Sequence, residues 1–349
     1  MRYLDSQLNL FENDKVAKIL TFATKPLHNE ILSSWLVRIA KNHFLEPKKF
    51  TAVFFKDKYF WTLDIDKSIS EIYLNKLAES TTVDNNHVSK LTLRSFIPFL
   101  SIQFSVDQTR SWFNRIQRTK GRISSNSYLY CPNCLKTDEI PYMRKEWRIY
   151  LFTTCIHCKC LLEDSCPHCK SPIQHFNHNS NQLDKTFDYI RFCAVCKNDL
   201  TTVHPRIVET SQLNNQKFIY DLIYQGFDNQ FNYSHLFFEG LYQMYCSLLT
   251  PHNIGMKKFL DSKFSDAENA FHLKKIIDIP LDKRAILINQ CVELTRNWPI
   301  NLLEFCKKNK IKYFELIRRQ REYPYWYFSE LRKNLFVGNP TKRTENKKI

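Results

Sequence analysis

The chain has 349 residues, of which 43% are hydrophobic and 14% aromatic. That composition argues against intrinsic disorder and allows two or three domains, each with its own core. The 51 Lys and Arg residues against 35 Asp and Glu residues give a formal charge of +16, which favours a polyanionic partner such as nucleic acid. The alternative is a set of solvated basic faces without such a partner.

Several classes of protein are disfavoured by what the sequence lacks. Only five glycines occur and no glycine-rich phosphate-binding loop is present, which argues against nucleotide hydrolysis. No apolar run approaches the ~20 residues that cross a bilayer, so we expect no membrane association. The first residues, MRYLDSQLNLFENDK, lack the apolar core of a signal peptide. We therefore expect a cytoplasmic protein.

Residues 1–25 contain the apolar stretches LDSQLNLF and KVAKILTF without clear helix boundaries, and we predict an N-terminal arm. An amphipathic helix follows, with Asn29 as its predicted N-cap. Its apolar residues recur at helical spacing: Ile31, Leu32, Trp35, Leu36 and Ile39. We predict a helical domain over residues 26–125.

Two further patterns in that domain predict helix pairs. KKFTAVFF is typical of a short second helix. SISEIYLNKLAEST and DNNHVSKLTLRSF are typical of a third and a fourth, and the turn TTVDN between them has a spacing compatible with a helix-turn-helix. The alternative for both pairs is ordinary packing in an all-helical core.

A basic segment closes this domain. Residues 108–122 carry five positive charges and no acidic residue, with Trp112 and Phe113 among them. Such a mixture suits contact with nucleic acid. The candidate contacts to nucleic acid or to another partner are Arg110, Arg115, Arg118, Lys120 and Arg122.

Nine of the twelve cysteines fall within residues 131–196. They include four Cys-x-x-Cys pairs: Cys131 with Cys134, Cys155 with Cys158, Cys166 with Cys169, and Cys193 with Cys196. Two such pairs make one tetrahedral zinc site, so four pairs predict two zinc sites in a module over residues 126–204. Disulfides are the alternative, and a reducing cytosol disfavours them.

Each Cys-x-x-Cys pair is typical of a zinc knuckle, a tight turn that directs two sulfur atoms at one metal ion. Pairing the four knuckles in sequence order leaves 20 residues between the first two and 23 between the last two, close to ordinary zinc-ribbon lengths. A cross-braced pairing, of the first Cys-x-x-Cys pair with the third and the second with the fourth, is the alternative. Four thiolates leave no position for water, so both predicted zinc ions are structural. Nearby residues could replace a ligand: Cys160, His157, His168, His175 and His178.

After HPRIV the pattern is helical, and we predict a C-terminal helical domain over residues 205–335. Near its end, RRQREYPYWYFSELRKN mixes arginine with aromatic residues, as nucleic-acid and protein interfaces both do. Its candidate contacts are Arg318, Arg319 and Arg321. Residues 336–349 are predicted to be a basic tail. The predicted fold class is therefore mainly α, with a small zinc-ribbon or zinc-finger module between two helical domains.

Two segments together resemble the TniQ family, which includes TnsD-type proteins. NEILSSWLVRIAKNH matches the opening helix of that family through Glu30, Ser34, Trp35 and Arg38. The stretch from YCPNC to CPHCKSPI matches its zinc module through Cys131, Pro132, Cys134, Trp147, Arg148, Cys155, Cys166, Pro167 and Cys169. Cys158 departs from the pattern, since the family usually has histidine there, but a thiolate preserves a tetrahedral site. The resemblance covers about residues 24–200.

The resemblance implies a non-enzymatic accessory protein of DNA transposition that selects the target. Such a protein links a target-recognition device to an AAA+ regulator of the TnsC type, which recruits the transposase. Some family members bind an attachment site in DNA, whereas others dock as dimers on an RNA-guided Cascade-type CRISPR complex. We expect the Cascade-linked adaptor here.

Two other classes of function stay open. A DNA-binding regulator unrelated to transposition would use the same zinc and basic features. A zinc-dependent nuclease would need an open metal site and paired carboxylates, neither of which the sequence shows. Within the zinc module we expect Trp147 to pack in the core. Arg148 is either a surface charge or a contact to a phosphate or an acidic partner.

Overall fold

The computed structural model describes residues 19–101, 112–119, 122–178, 188–250, 254–264, 279–317 and 322–336. The described residues are mostly helical, with three short two-stranded sheets, which confirms the predicted fold class. The chain divides into two compact units. The first comprises Met1–Pro98 and Gln103–Ile219, and the second comprises Phe99–Ile102 and Tyr220–Ile349. The finer boundaries predicted from the sequence stay predictions.

The first unit begins with short helices around a central one. They are α1 (Leu32–Asn42), α2 (Pro47–Phe54), α3 (Ile65–Ser68), α4 (Glu71–Thr81), α5 (Asn85–Lys90) and, at the unit boundary, α6 (Ile97–Leu100). Helix α1 is buried from Leu32 to Ala40, because its apolar residues meet neighbours on more than one side. Its N-cap is Ile31 and not the predicted Asn29, whose backbone is left-handed with φ 56°.

Helices α4 and α5 form the pair that the sequence predicts. Thr82 ends α4 in the left-handed conformation, and the Asp84 carboxylate accepts the His87 N–H at 3.0 Å to cap α5. Leu77 and Val88 bury the facing sides of the two helices. The helix predicted over DNNHVSKLTLRSF is divided, because α5 ends at Lys90 and a separate 3-10 turn follows at Leu93–Phe96.

The cysteine-rich part of the first unit is built from turns and very short elements. These are strands β1 (Arg118–Thr119) and β2 (Arg122–Ile123), helix α7 (Pro132–Thr137), a 3-10 turn at Lys145–Arg148, strands β3 (Thr154–Cys155) and β4 (Cys160–Leu161), and a 3-10 turn at Leu200–Thr202. Both strand pairs are antiparallel, with Arg118 opposite Ile123 and Cys155 opposite Cys160. Helix α8 (Thr210–Gln225) begins in this unit.

The second unit is helical. Its elements are strands β5 (Phe227–Asp228) and β6 (Asn232–Tyr233) and helices α9 (Ser234–Leu248), α10 (Ile254–Lys263), α11 (Leu281–Thr295), α12 (Ile300–Asn309), α13 (Tyr313–Leu316) and α14 (Tyr325–Leu335). Pro280 and Pro299 precede α11 and α12, where proline is compatible with a helix start. Helices α9 and α14 meet at Gly240, where an added Cβ would clash with the Trp326 ring.

Candidate metal sites

The first Cys-x-x-Cys pair lies at the start of a helix. Cys131 is the N-cap of α7, and its Sγ accepts the N–H of Cys134 at 3.4 Å. Pro132 occupies the first turn, where its missing N–H removes no helical hydrogen bond. The helix start therefore fixes the positions of both sulfur atoms.

The other three pairs share a tight turn that ends in a left-handed lysine. The lysine directly after the second cysteine has a positive φ in each turn: Lys159 at 56°, Lys170 at 58° and Lys197 at 63°. Its N–H donates to the carbonyl oxygen of the first cysteine of the pair, at 2.8 to 3.0 Å. A non-glycine residue in this conformation is locally strained. The strain recurs three times because the turn must close around two sulfur atoms.

The eight predicted cysteines come together in two groups. One contains Cys131, Cys134, Cys155 and Cys158, and the other contains Cys166, Cys169, Cys193 and Cys196. Within each group all four sulfur atoms lie within 4.8 Å of one another. The knuckles therefore pair in sequence order, and the cross-braced alternative is not the arrangement found.

The sulfur separations match those of a tetrahedral metal site. A zinc–sulfur bond of ~2.3 Å implies sulfur atoms about 3.8 Å apart along each tetrahedral edge. In the first group Cys134 Sγ lies 3.6 Å from Cys155 Sγ and 3.5 Å from Cys158 Sγ. In the second group the Cys166–Cys196 distance is 3.6 Å and the Cys169–Cys193 distance is 3.7 Å. These distances far exceed a disulfide bond of ~2.05 Å, so each group could hold one metal ion.

The other candidate ligands lie outside both groups. Cys160 Sγ is 3.6 Å from Cys131 Sγ but does not belong to the group of four. Three histidine rings bond elsewhere: His168 to the Thr202 hydroxyl at 2.9 Å, His175 to the Ser33 hydroxyl at 3.0 Å, and His178 to the Tyr189 carbonyl at 2.8 Å. His157 belongs to neither group. Both sites in the described chain are thus composed of cysteine alone.

The two sites differ in exposure. In the first, Cys131, Cys134 and Cys155 are buried and Cys158 is half-buried. In the second, Cys169 is exposed, Cys196 is half-buried, and Cys166 and Cys193 are buried. A metal ion in the second site would therefore be more accessible to a competing ligand than one in the first.

The opening-helix motif forms a buried polar network around α1. The Glu30 carboxylate pairs with the Arg38 guanidinium and accepts the Ser34 hydroxyl at 2.8 Å. Trp35 Nε1 donates to the Thr24 carbonyl oxygen at 2.8 Å, and Arg38 also donates to the Thr24 hydroxyl at 3.1 Å. Burial raises the pKa of Glu30, and Arg38 opposes that rise. The motif residues therefore have a structural role inside the unit.

The same motif joins α1 to the cysteine-rich part. The Ile31 N–H donates to the Met143 carbonyl at 3.0 Å, and the Lys145 N–H donates to the Asn29 carbonyl at 2.8 Å. The Met143 N–H in turn donates to Ser34 Oγ at 3.0 Å. The segment that connects the first two knuckles is thus hydrogen-bonded along the start of α1.

Arg148 is buried, with only 1% of its side chain exposed. Its guanidinium contacts Asp64 Oδ2 at 2.6 Å and Asp66 Oδ2 at 3.0 Å and lies over the Tyr128 ring. Burial alone would lower the pKa of Arg148, but Asp64 is the largest of the effects that raise it, so the group stays cationic. This interior position does not fit a contact to a phosphate or a partner, and the expectation of such a contact is corrected. Trp147 is also buried, as expected.

The remaining predicted contacts are only partly described. Arg115 is exposed and Arg118 is half-buried. For Arg122 the structure describes the backbone, which pairs with Thr119 in the β1–β2 hairpin. The other candidates lie outside the described residues: Arg110, Lys120, Arg318, Arg319 and Arg321.

The carboxylates that hold Arg148 were not predicted as site residues. Asp66 is fully buried and accepts three hydrogen bonds, from Arg148, from the Tyr128 hydroxyl at 2.7 Å and from the Ser33 N–H at 2.8 Å. The last bond satisfies a free N–H in the first turn of α1. The only local signal in the sequence is a pair of aspartates at positions 64 and 66 amid apolar residues, which does not identify their partner.

The fold and the sites define a mostly helical protein with two four-cysteine groups suited to metal binding. Residues 21–162 match the model of the TniQ family, so the chain carries a TniQ domain and its membership of that family is supported. A TniQ domain implies a protein associated with transposition. The match includes the α1 motif and the first cysteine group and ends before the second.

The comparison with curated proteins found no match. Among the described helices, none is both long and apolar enough to cross a membrane.

Proposed function

We propose that the protein is an accessory factor of DNA transposition that selects the target site. The observation that supports this role is the TniQ domain over residues 21–162. The protein would link a target-recognition complex to a TnsC-like AAA+ regulator, which then recruits the transposase. The proposed recognition partner is an RNA-guided complex of the Cascade type, and the proposed working form is a homodimer.

In this proposal each cysteine group holds one structural zinc ion. Zinc supplies folding energy, because four thiolates from two distant knuckles are fixed at one point only when the ion is bound. The sulfur–sulfur distances of 3.5 to 3.7 Å support tetrahedral coordination of zinc by the four thiolates of each group. The protein itself then supplies coupling between partners and no catalytic step.

The predicted arm is the proposed contact to the regulator. Of this arm the structure describes residues 19–25, in which Ile19 and Phe22 are each more than half exposed. Exposed apolar side chains in one short segment favour a protein partner. Leu20 between them is buried and its N–H donates to the Ser80 carbonyl at 2.7 Å, which fixes the backbone of this segment. The double variant Ile19→Ser and Phe22→Ser should weaken recruitment of the regulator and leave the zinc content unchanged.

A second candidate function is direct recognition of an attachment site in DNA, as in TnsD-type proteins. Helix α5 favours this second function, because its exposed face consists of side chains of types that proteins use to hydrogen-bond to base edges. These are Asn85, Asn86, His87 and Lys90. They follow the tight turn after α4, in the order that a helix-turn-helix requires.

A reconstituted insertion assay tests the proposal. It contains the transposon ends, the transposase, the regulator, a guide-loaded Cascade complex and a target plasmid. Omitting the protein should abolish insertion near the guide-matched site while Cascade still binds that site. Undiminished guided insertion without the protein would disprove the role.

The same assay separates the two candidates. The triple variant Asn86→Ala, His87→Ala and Lys90→Ala should support full guided insertion if the protein is an adaptor. If it reads DNA directly, the wild-type protein alone should protect an attachment site from nuclease digestion, and this variant should lose that protection.

A further inference from the structure

Four cations from three separate segments lie near one another on the surface of the first unit. Lys48 is in the first turn of α2, Lys67 is in α3, Arg115 precedes β1, and Arg118 is in β1. Lys48 and Arg115 are exposed, and Lys67 and Arg118 are half-buried. Arg118 Nη2 donates to the Leu63 carbonyl oxygen at 3.4 Å, which places the β1–β2 hairpin against the segment that leads into α3. We call these four residues the basic cluster.

The members of the basic cluster influence one another electrostatically. The pKa of Lys48 is lowered by burial and then by the charge of Arg118. The pKa of Lys67 is lowered by burial, and Arg148 and Arg115 lower it further against the opposing effect of Asp64. Like charges held this close are unfavourable unless an anion neutralises them.

Within the described part of the chain, two carboxylates act on the basic cluster, Glu46 on Lys48 and Asp64 on Lys67 and Arg118. Each of these carboxylates is paired with a cation outside the cluster, Glu46 with Lys49 and Asp64 with Arg148. None of the cluster's four side chains forms a salt bridge within the described residues, whereas Lys41, Lys49 and Arg94 on neighbouring surfaces each pair with a carboxylate. Asp64 is near the cluster, but its carboxylate is bonded to the buried Arg148 at 2.6 Å. The positive charge of the cluster is therefore available to an external ligand.

The backbone that carries the two arginines is fixed. The Asn114 N–H donates to the Arg148 carbonyl at 2.8 Å, and the Ser125 and Ser127 hydroxyls both donate to the Arg115 carbonyl, at 2.9 and 2.6 Å. The Ser124 N–H donates to the Gln117 carbonyl at 2.9 Å. Preorganised guanidinium groups bind phosphate without a further ordering cost in the backbone.

We propose that the basic cluster binds the phosphate backbone of a nucleic acid. Guanidinium groups match phosphate oxygens in a bidentate geometry, and lysine adds point charges along the same path. An acidic protein is the less suitable ligand, because lysine is depleted at the centres of protein interfaces and half of this cluster is lysine. This surface goes beyond the proposed coupling role and would act whether or not that role holds.

The test measures binding of full-length, zinc-loaded protein to a labelled 30-base-pair DNA duplex and to a single-stranded RNA of the same length, over a range of salt concentrations. The cluster variant changes Lys48, Lys67, Arg115 and Arg118 to glutamine. A matched control removes the same charge from four exposed lysines of the same unit: Lys25, Lys56, Lys136 and Lys217. The zinc content and circular dichroism of both variants are compared with the wild type.

The cluster variant should bind the preferred nucleic acid at least ten-fold more weakly, and its slope of log affinity against log salt should fall by about 3 to 4, close to one for each lost phosphate contact. The control should change affinity less than three-fold. The tighter of the two wild-type complexes identifies duplex DNA or RNA as the ligand. If the quadruple variant loses zinc, the single variants Lys48→Gln and Arg115→Gln replace it, and each should lower the slope by about one.

Three results would overturn the proposal. The first is equal loss of affinity in the cluster variant and the control, which would show that only net charge matters. The second is wild-type affinity in the cluster variant. The third is cluster-dependent binding of polyglutamate that is tighter than binding of either nucleic acid, which would identify an acidic protein as the ligand.

Discussion

The Arg148 guanidinium contacts the Asp66 carboxylate at 3.0 Å, between residues 82 positions apart in the sequence. Both side chains are almost completely buried, at 1% and 0% exposure. Asp66 also accepts the Ser33 N–H, so one carboxylate connects the start of α1 to the turn between the first two cysteine knuckles. The helices and the cysteine-rich part of the first unit thus share one polar interior.

Breaking this pair should strongly destabilise the first unit. The variant Arg148→Met leaves Asp66 and Asp64 buried without their cation, and such a loss costs about 3–5 kcal/mol of unfolding free energy. The measurement is urea unfolding monitored by tryptophan fluorescence. Arg191→Met is the control, because the Arg191–Asp199 pair is more exposed and should contribute no more than about 1 kcal/mol. Equal losses in the two variants would contradict this account of Arg148.

The purified protein should contain two zinc ions per chain. The variants Cys131→Ser and Cys166→Ser should each lose one, because a site with three thiolates binds zinc more weakly. Cys160→Ser is a close control, since this buried thiol lies 3.6 Å from Cys131 Sγ but outside the group of four. Its zinc content should stay at two, as measured by elemental analysis. Loss of zinc from Cys160→Ser would show that Cys160 is a ligand.

A chelator should remove the two zinc ions at different rates. The second site includes one exposed cysteine, Cys169, whereas three of the four cysteines in the first site are buried and the fourth is half-buried. Zinc release to EDTA should therefore have a fast and a slow phase of equal amplitude. Cys166→Ser should eliminate the fast phase and Cys131→Ser the slow one. Release in a single phase, or the reverse assignment, would contradict the difference in exposure.

Acid should destabilise the protein through His175. Burial lowers the pKa of this histidine to about 3, whereas an unfolded histidine binds a proton near pH 6.5. Below pH 6.5 the unfolded state therefore binds more protons, so stability is fully present above that pH and is lost as the pH falls. Each pH unit should cost about 1.4 kcal/mol for this one group.

The variant His175→Gln isolates that contribution, because glutamine has no proton to gain. Between pH 7.5 and 5.5 its unfolding free energy should fall by about 1.4 kcal/mol less than that of the wild type. Urea unfolding at the two pH values measures the difference. His204→Gln, at an exposed position, is the control. If both variants follow the wild type, His175 does not carry the acid sensitivity.

The parts of the structure that the sequence predicts well are those set by local spacing. Helix α1 follows from the 3.6-residue recurrence of its apolar side chains, and the two cysteine groups follow from four knuckles. The partners of Arg148 could not be predicted, because Asp64 and Asp66 are brought to it by tertiary packing alone. The three left-handed lysines were equally unpredictable, since glycine is the usual residue in that conformation and lysine gives no signal for it.

Helix α5 shows a different limit. Apolar residues continue from Val88 through Leu91 to Leu93, so the pattern predicts one helix across the segment DNNHVSKLTLRSF. The helix instead ends at Lys90, because the Leu91 carbonyl oxygen accepts a hydrogen bond from the Leu32 N–H at 3.1 Å. A hydrogen bond to a distant element thus replaced one within the helix.

The order in which the knuckles pair bears on how the protein is made. Domains emerging from the ribosome fold from the N-terminus onward. Because Cys131 and Cys134 join Cys155 and Cys158, all four cysteines of the first group leave the ribosome before any cysteine of the second group does. A cross-braced arrangement would have kept both sites open until the third knuckle emerged. The nascent chain can therefore fill its first site from the first four thiols alone, which limits mispairing during synthesis.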